Sequence, residues 1–527
     1  MFHIAVLICF AIAPCMETLK VLVLYPVPAF STQRPIIALT EKLVEKGHKL
    51  FVVSPNSVPD LMEHQNYTHC DLSFAYEYFG DNKKIDSVNV HRQVSKWDMP
   101  SIAKPLANLM AREFSSEQFL KFKRRLESEK TEFDLVIVQS IGLPFLVPMA
   151  KILAEDAPII SISSSPMDWP VEDLIDKSVH LSFLPSIFGH YTDKMDIFQK
   201  LENWFSHTYI LSAVREPFIT IARKFLTETC GPGRETLVDG YWQHISLTLI
   251  ASNSLYYYPR LLGPNIIEVG PVHFKPPKEL PKNLQDWLDG AEKGVLYFSL
   301  GSNMKSKALP KDVLDNFLKF FRELPAGYRV LWKWELDGPI PGQSDNIMTQ
   351  KWMPQDSILA HPKVKVFITQ GGLQSFQEAV HFGVPTVGIP WFVDQECVTA
   401  KMVDAKVGVK VSPQEIHSIT DIKSAIETVL NDESYLKNMR RLSAISHDFT
   451  SQALDKAVFW VEHVARHGGA SHLRPATADA SLFEYLCLDI ISVILVFSIV
   501  SLYVFFSIFR VIIFCVSRIF AKKIKQS

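Results

Sequence analysis

The stretch from Trp352 to Gln395 constrains this chain more than any other. It holds two strand–turn–helix steps in succession. Lys363 to Thr369 (KVKVFIT) is a short β-branched run that ends at Gln370-Gly371-Gly372. A helical pattern follows, with Phe376, Ala379, Val380 and Phe382 apolar, and it stops at Gly383 before Pro385. Another strand, Thr386 to Ile389, runs into a loop carrying Asp394 and Gln395. Glycines at a strand-to-helix turn let the backbone approach a ligand closely. The helix behind them offers unpaired N–H groups and a positive dipole end to a phosphate. Gln374 and Glu378 are four residues apart, so they share a helix face from which a carboxylate can reach ribose hydroxyls. Asp394 and Gln395 fall at the next strand end, where open α/β sheets take their ligands.

The same alternation runs through the rest of the chain. Lys20 to Tyr25 predicts a strand, Pro35 to Glu45 a helix closed by Gly47, and Lys49 to Val53 a second strand. Phe133 to Val138 predicts a strand ending at Gln139-Ser140, Ala157 to Ser165 another, and Gly294 to Leu300 one more ending at Gly301-Ser302. Such a series argues for an α/β class with parallel sheets covered by helices on both faces. At 527 residues the chain exceeds one ordinary core. The proline-rich stretch 271–283 reads as a linker between an N-terminal domain, 17–270, and a C-terminal domain, 284–479. Stretches 56–130 and 166–245 are less regular, with amphipathic segments and several aromatics, as an apolar ligand site would have.

The two ends differ from the middle. Residues 1–16 read as a signal peptide. Residues 490–509 carry no formal charge over twenty positions, enough to cross a bilayer. The tail 510–527 holds Arg510, Arg518, Lys522, Lys523 and Lys525, which by the positive-inside rule would stay cytoplasmic and leave everything upstream in a lumen. There Cys70, Cys230 and Cys397 are too few and scattered for a disulfide framework, though one pair is open to them. Asn66-Tyr67-Thr68 is a glycosylation sequon. A formal net charge of −2 gives no basic face for nucleic acid, and no metal-ligand spacing is visible.

Trp352, Pro354, Gln355, Gly371, Gly372, Gln374, Glu378, Gly388, Pro390, Asp394 and Gln395 together resemble the signature of the UDP-glycosyltransferases, the UDP-glucuronosyltransferase superfamily. The wording TQGGLQS, with Gln370 where the family usually has His, is similar to insect members. The resemblance implies a GT-B fold: two Rossmann-like domains facing a cleft, plus a C-terminal transmembrane helix. The first domain would bind the acceptor and the second the UDP-sugar, with 444–479 crossing back to the first. It implies that Trp352 stacks on uracil and that Gln355 and Glu378 hold the ribose. Ser302 and the turn Gln370, Gly371, Gly372, Gln374 with neighbouring Ser375 would meet the pyrophosphate. Asp394 and Gln395 would bind the sugar hydroxyls. Arg260 matches a family arginine near the donor, or else serves an ordinary ion pair. The UDP-sugar is a co-substrate, so no separate cofactor and no metal is expected. Lys523 and Lys525 resemble a dilysine retrieval signal or serve as plain anchoring charge. The implied location is the endoplasmic reticulum membrane, single-pass type I, with lumenal catalytic domains.

The family's catalytic dyad is where this chain departs. A His after the first strand usually takes the acceptor proton and an Asp at a later strand end orients it. Here Thr32 stands at the His position, in Ser31-Thr32-Gln33, and Gln139 or Ser140 at the Asp position. Three readings follow. The acceptor is one that loses its proton easily, such as an amine, thiol, carboxylic acid or acidic phenol. Or a base comes from elsewhere, such as His190 or Asp193. Or the chain is a degenerate member that binds UDP-sugar or small molecules, or regulates active homologues. The expectation is transfer of a hexosyl group, glucose or glucuronate, to a small lipophilic acceptor with inversion, as in detoxification. Its partners would be a UDP-sugar, the acceptor and a membrane, with homo- or hetero-oligomers left open.

Overall fold

The structure, a computed structural model, describes residues 18–81, 93–165, 179–302 and 304–524. The signal-peptide expectation and Lys525 lie outside them. The described chain falls into two units, one ending at Arg474 and the other beginning at Pro475.

The first unit is built on two parallel sheets. One contains β1 (Lys20–Leu24), β2 (Lys49–Ser54), β3 (Tyr67–Asp71), β4 (Leu135–Gln139), β5 (Ile159–Ser163), β6 (Ile245–Ile250) and β7 (Ile266–Glu268). The other contains β8 (Gly294–Ser299), β9 (Tyr328–Lys333), β10 (Ile347–Gln350), β11 (Val364–Thr369), β12 (Thr386–Gly388) and β13 (Gly408–Lys410). The strand orders are β3-β2-β1-β4-β5-β6-β7 and β10-β9-β8-β11-β12-β13. Both reverse direction beside their first strand, between β1 and β4 and between β8 and β11, which is the doubly wound pattern. The central strands read as unbroken apolar runs because both faces are covered. In β1, Leu22 and Leu24 enter one core while Val21 and Val23 enter the core on the opposite face. In β8, Leu296 and Phe298 do the same against Val295 and Tyr297.

Three features depart from the expectation. Helix Phe30–Glu45 begins five residues before Pro35, so Ser31, Thr32 and Arg34 lie in its first turns instead of in a loop. Helix Ala453–Arg466 follows the second sheet in sequence but packs on the first. Its Ala457, Val458, Val461 and Val464 share a core with Val21, Val23, Leu247 and Leu249. Within the stretch drawn as 284–479, this helix thus joins the core of the first sheet. In the second unit, the apolar helix runs further than 490–509. It spans Leu488–Ile519, with a mean hydropathy of 2.6 over an 18-residue window, and passes through Arg510 without a break. It is long and apolar enough to cross a membrane. Cys70, Cys230 and Cys397 are all free thiols.

Candidate active site

The carboxyl ends of β1, β4, β8 and β11 open onto a single cavity of about 380 Å³. Both topological switch points therefore face one cleft. Val27, Phe30, Thr32 and Arg34 follow β1, and Ile141 follows β4. Gly301 and Ser302 follow β8, and Gln370, Gly372, Gln374 and Ser375 follow β11. Gly371 stands between Gln370 and Gly372.

On the second-sheet side the cleft is shaped for a flat ring and an anion. Trp352 is 62% exposed, unusual for a Trp in a folded interior. Phe30 meets it edge-on with centroids 5.8 Å apart, and Lys333 Nζ lies 5.3 Å from its ring centroid. Lys333 is otherwise buried, and burial pushes its pKa down. Helix Leu373–Phe382 has Gly372 at its N-cap and no side-chain cap, and its first residues Leu373, Gln374 and Ser375 line the cleft, where a helix start offers N–H groups to an anion. Gly371 has φ +79°, and a Cβ there would meet Thr399 Cγ2 at 2.6 Å. Gly301 has φ +78°, and a Cβ there would strike Gln370 Nε2 at 2.3 Å. Both positions demand glycine. Gln370 is buried with its Oε1 lacking a protein partner.

The carboxylates sit in a web that spans both sheets. Arg34 Nη1 donates to Glu378 Oε1, and Nη2 donates to Asp356 Oδ2 at 3.0 Å. Gln355 Nε2 donates to Glu378 Oε2 at 2.5 Å and to Ser375 Oγ at 3.1 Å, while Tyr297 Oη donates to Gln355 Oε1 at 3.2 Å. Gln374 Nε2 donates to the Ser31 carbonyl. Glu378 is fully buried, and burial raises its pKa while the Arg34 guanidinium opposes the rise. Burial also pushes the Asp394 carboxyl up to about 6, against two backbone N–H groups that favour its charge. Gln395 Oε1 accepts from Trp391 N at 2.8 Å and Phe392 N at 2.9 Å, which leaves its amide nitrogen for the cleft.

Thr32 and Gln139, matched to the two halves of the family dyad, lie side by side. Gln139 Nε2 approaches Thr32 Oγ1 at 3.5 Å, and Gln139 Oε1 accepts from Val27 N at 3.1 Å. Thr32 Oγ1 donates to Ala29 O at 2.8 Å, so its proton is already engaged. The ionisable residues lining the cleft are Arg34, Tyr297, Lys333 and Asp394, and none of the described lining residues is a histidine. Met99, Ile187, Phe188 and Phe392 supply an apolar wall on the same side as Ile141.

Some candidates lie elsewhere. His190 and Asp193 are exposed and do not line the cleft. Arg260 is buried with its Nε 3.8 Å from Glu268 Oε1, the ion-pair alternative, and is not on the cleft wall. Asn66, in the sequon, is half-buried and its amide donates to the Gly47 carbonyl at 3.3 Å. Conversely, Arg34, Lys333 and Phe30 gave no sequence signal. Arg34 reaches partners more than three hundred positions away, and a lone Lys at a strand end is an ordinary surface residue by pattern.

Residues 20–526 match the family described as UDP-glucuronosyl and UDP-glucosyl transferase. UDP-glycosyltransferase UGT5 of Dactylopius coccus is 32% identical, over 92% of this chain and 90% of its own length. UDP-glucuronosyltransferase 2B7 of Homo sapiens is 30% identical, over 93% of this chain and 92% of its own. Among solved structures, the calicheamicin glycosyltransferase CalG4 superposes with a TM-score of 0.56 at 17% identity, covering 85% of this chain and all of CalG4. That likeness shows the GT-B arrangement of two parallel-sheet domains.

Proposed function

Because the chain belongs to the UDP-glucuronosyl and UDP-glucosyl transferase family, we propose that it moves a hexosyl group, glucose or glucuronate, from a UDP-sugar to a small lipophilic acceptor with inversion. The observation that carries this reading is the single cleft joining both switch points, with exposed Trp352 beside an uncapped helix N-terminus. Uracil would lie against Trp352, and the ribose hydroxyls would meet Gln355, with Glu378 buried behind it and off the cleft wall, orienting its amide. The diphosphate would take the N–H groups behind Gly371 and Gly372, with Ser302, Ser375 and the Gln370 and Gln374 amides around it. A neutral amide at position 370 donates a hydrogen bond but brings no charge. Lys333, next to Trp352, is the cation positioned to offset the phosphates. Asp394 and the Gln395 amide would hold the hexose hydroxyls. The apolar wall at Met99, Ile141, Ile187 and Phe188 would take the acceptor.

In the transfer, the acceptor heteroatom forms a bond to the anomeric carbon from the face opposite the diphosphate. The bond from that carbon to the phosphate oxygen breaks, and UDP leaves with the electron pair. The acceptor proton needs a taker. The Thr32 hydroxyl proton is committed to Ala29 O, and Gln139 is a neutral amide. We favour an acceptor whose proton passes to solvent or to the departing UDP without a dedicated histidine: an amine, thiol, carboxylic acid or acidic phenol. Positioning and electrostatics alone still supply a large share of such a barrier.

We also place the chain in the endoplasmic reticulum membrane with its two sheets lumenal. The apolar helix Leu488–Ile519 and the basic residues at its far end support this orientation.

The test is transfer by detergent-solubilised full chain from radiolabelled UDP-glucose and UDP-glucuronate to a panel of phenols, amines, thiols, carboxylic acids and aliphatic alcohols. Product confined to the easily ionised acceptors is expected. Efficient transfer to aliphatic alcohols would refute the acceptor reading and require an active base. UDP binding with no product from any acceptor would make the chain a non-catalytic binder.

A further inference from the structure

The first half of helix Ile197–Phe225 is inverted for a water-facing surface. Its inward side is ordinary, with Ile210, Val214 and Phe218 buried in the core that also holds helix Met99–Phe114. The outward side of its first thirteen residues carries Ile197, Phe198, Leu201, Trp204, Phe205 and Tyr209, each more than half exposed. Beyond them the outward side turns polar, with Ser212, Glu216 and Thr220. Two neighbours extend the apolar zone. Trp97 lies 5.9 Å from the Tyr209 ring and is 48% exposed, and Phe183 is 64% exposed. Six large side chains at this exposure leave on the order of 600–900 Å² of apolar surface, at or above the largest patch a typical monomer shows.

We propose that this face docks on a lipid surface, with its rings at headgroup level. Three observations favour a bilayer over a second copy of the chain. The same chain carries a 32-residue apolar helix fit to cross one. Only residues 475–487 separate the first unit from that helix, so the unit is tethered within about 45 Å of the bilayer even if that stretch were fully extended. The composition is also interfacial. Trp97, Trp204 and Tyr209 stand among Phe, Leu and Ile, and Lys96, which pairs with Glu202, and Lys200 lie 5.4 Å and 5.3 Å from the Trp97 and Phe183 ring centroids. Aromatic belts with flanking lysines are the signature of a membrane–water boundary.

The face is also wired to the cleft. Phe183 on the face and Ile187 on the cleft wall belong to one short loop. Asn203, from the buried side of the same helix, pins that loop: its Nδ2 donates to Leu181 O at 2.8 Å and Leu184 O at 3.0 Å, and its Oδ1 accepts from Ser186 N at 2.7 Å. A bilayer at this face would present lipid-dissolved acceptors at the loop that lines their site. That consequence rests on the acceptor reading above, whereas the docking itself rests only on the exposed face and the anchor.

The experiment uses the full chain in nanodiscs of phosphatidylcholine, with ordinary or brominated acyl chains, and reads tryptophan emission. Bromine quenches only rings in contact with lipid. The chain has ten tryptophans, and none lies in residues 475–527, so any quenching comes from the first unit. Brominated discs are expected to lower the emission of the native chain, and Trp97→Phe with Trp204→Phe is expected to remove that loss. These substitutions keep the face apolar, so folding is preserved. Undiminished quenching in the double variant would overturn the proposal. So would an absence of quenching in protein that elutes with discs, which leaves the anchor standing; two copies per disc would then assign the face to self-association. Protein that does not elute with discs at all would overturn docking and anchor together.

Discussion

At the scale of single residues, two neutral side chains, Thr32 and Gln139, lie together at the positions that the sequence matched to a base and its orienting acid. Thr32→His with Gln139→Asp would put an imidazole and a carboxylate at positions already 3.5 Å apart. Rates on simple phenols and alcohols are expected to rise by roughly 10²–10⁴-fold, the usual worth of a general base. Unchanged kcat/KM for both would locate proton transfer elsewhere. Asp394 makes a second, pH-dependent prediction. Its ordinary value is 3.8 and burial raises it to about 6. An acid held above its ordinary value favours the folded state while protonated. That advantage is complete below pH 3.8 and disappears as pH rises through about 6. At neutral pH the ionised carboxylate therefore costs stability, on the order of 3 kcal/mol. Asp394→Asn should raise the melting temperature at pH 7.5, have little effect at pH 4, and impair transfer. A gain in Tm that is the same at both pH values would show that ionisation is not its cause.

At the scale of elements, the turn from β11 into helix Leu373–Phe382 is limited by both backbone conformation and space. Gly371→Ala meets a positive φ and a contact of 2.6 Å with Thr399. Gly338 has a similar φ of +81° but open space around the missing Cβ. Gly338→Ala therefore isolates the backbone cost, roughly 1 kcal/mol. Gly371→Ala should cost clearly more in denaturant unfolding and weaken UDP binding, measured by calorimetry. Equal losses in the two variants would mean that the helix gives way around Thr399. The turn was legible in sequence because few residues besides glycine tolerate such a backbone. The central strands were legible because double-sided burial writes an unbroken apolar run. Strands β3, β7, β10 and β13 were not, being three to five residues long and at sheet edges, where one-sided burial leaves a weak pattern, and interior β6 and β9 were missed too, because Ser246 and Thr248 in one and Arg329 and Lys333 in the other interrupt the apolar run.

At the scale of the whole molecule, the two sheets are not independent pieces joined by 271–283. Helix Ala453–Arg466 buries three valines in the first sheet's core, each worth about 1.5–3 kcal/mol. Arg34 adds a charged tie, from the first sheet's opening helix to Glu378 and Asp356 beyond the linker. A fragment ending at residue 283 is expected to aggregate or to lack cooperative unfolding by circular dichroism. Adding residues 453–474 back, as a fused segment, should restore it. A cooperative transition in the bare fragment would show that the helix only decorates a finished core.

The sequence alone determined the α/β class, the paired parallel sheets, the glycine turn at Gln370 to Gln374 and the apolar C-terminal helix. Each of these is written in local pattern: double-sided burial, a backbone only glycine adopts, or an unbroken run without charge. Tertiary structure decided the rest. It placed Arg34 on Glu378, brought Lys333 beside Trp352, set Thr32 against Gln139, left His190 and Arg260 off the cleft wall, and turned an aromatic helix face outward. Contacts between residues a hundred or more positions apart leave no period or spacing in a single chain, because each partner is by itself an ordinary side chain until packing brings the two together.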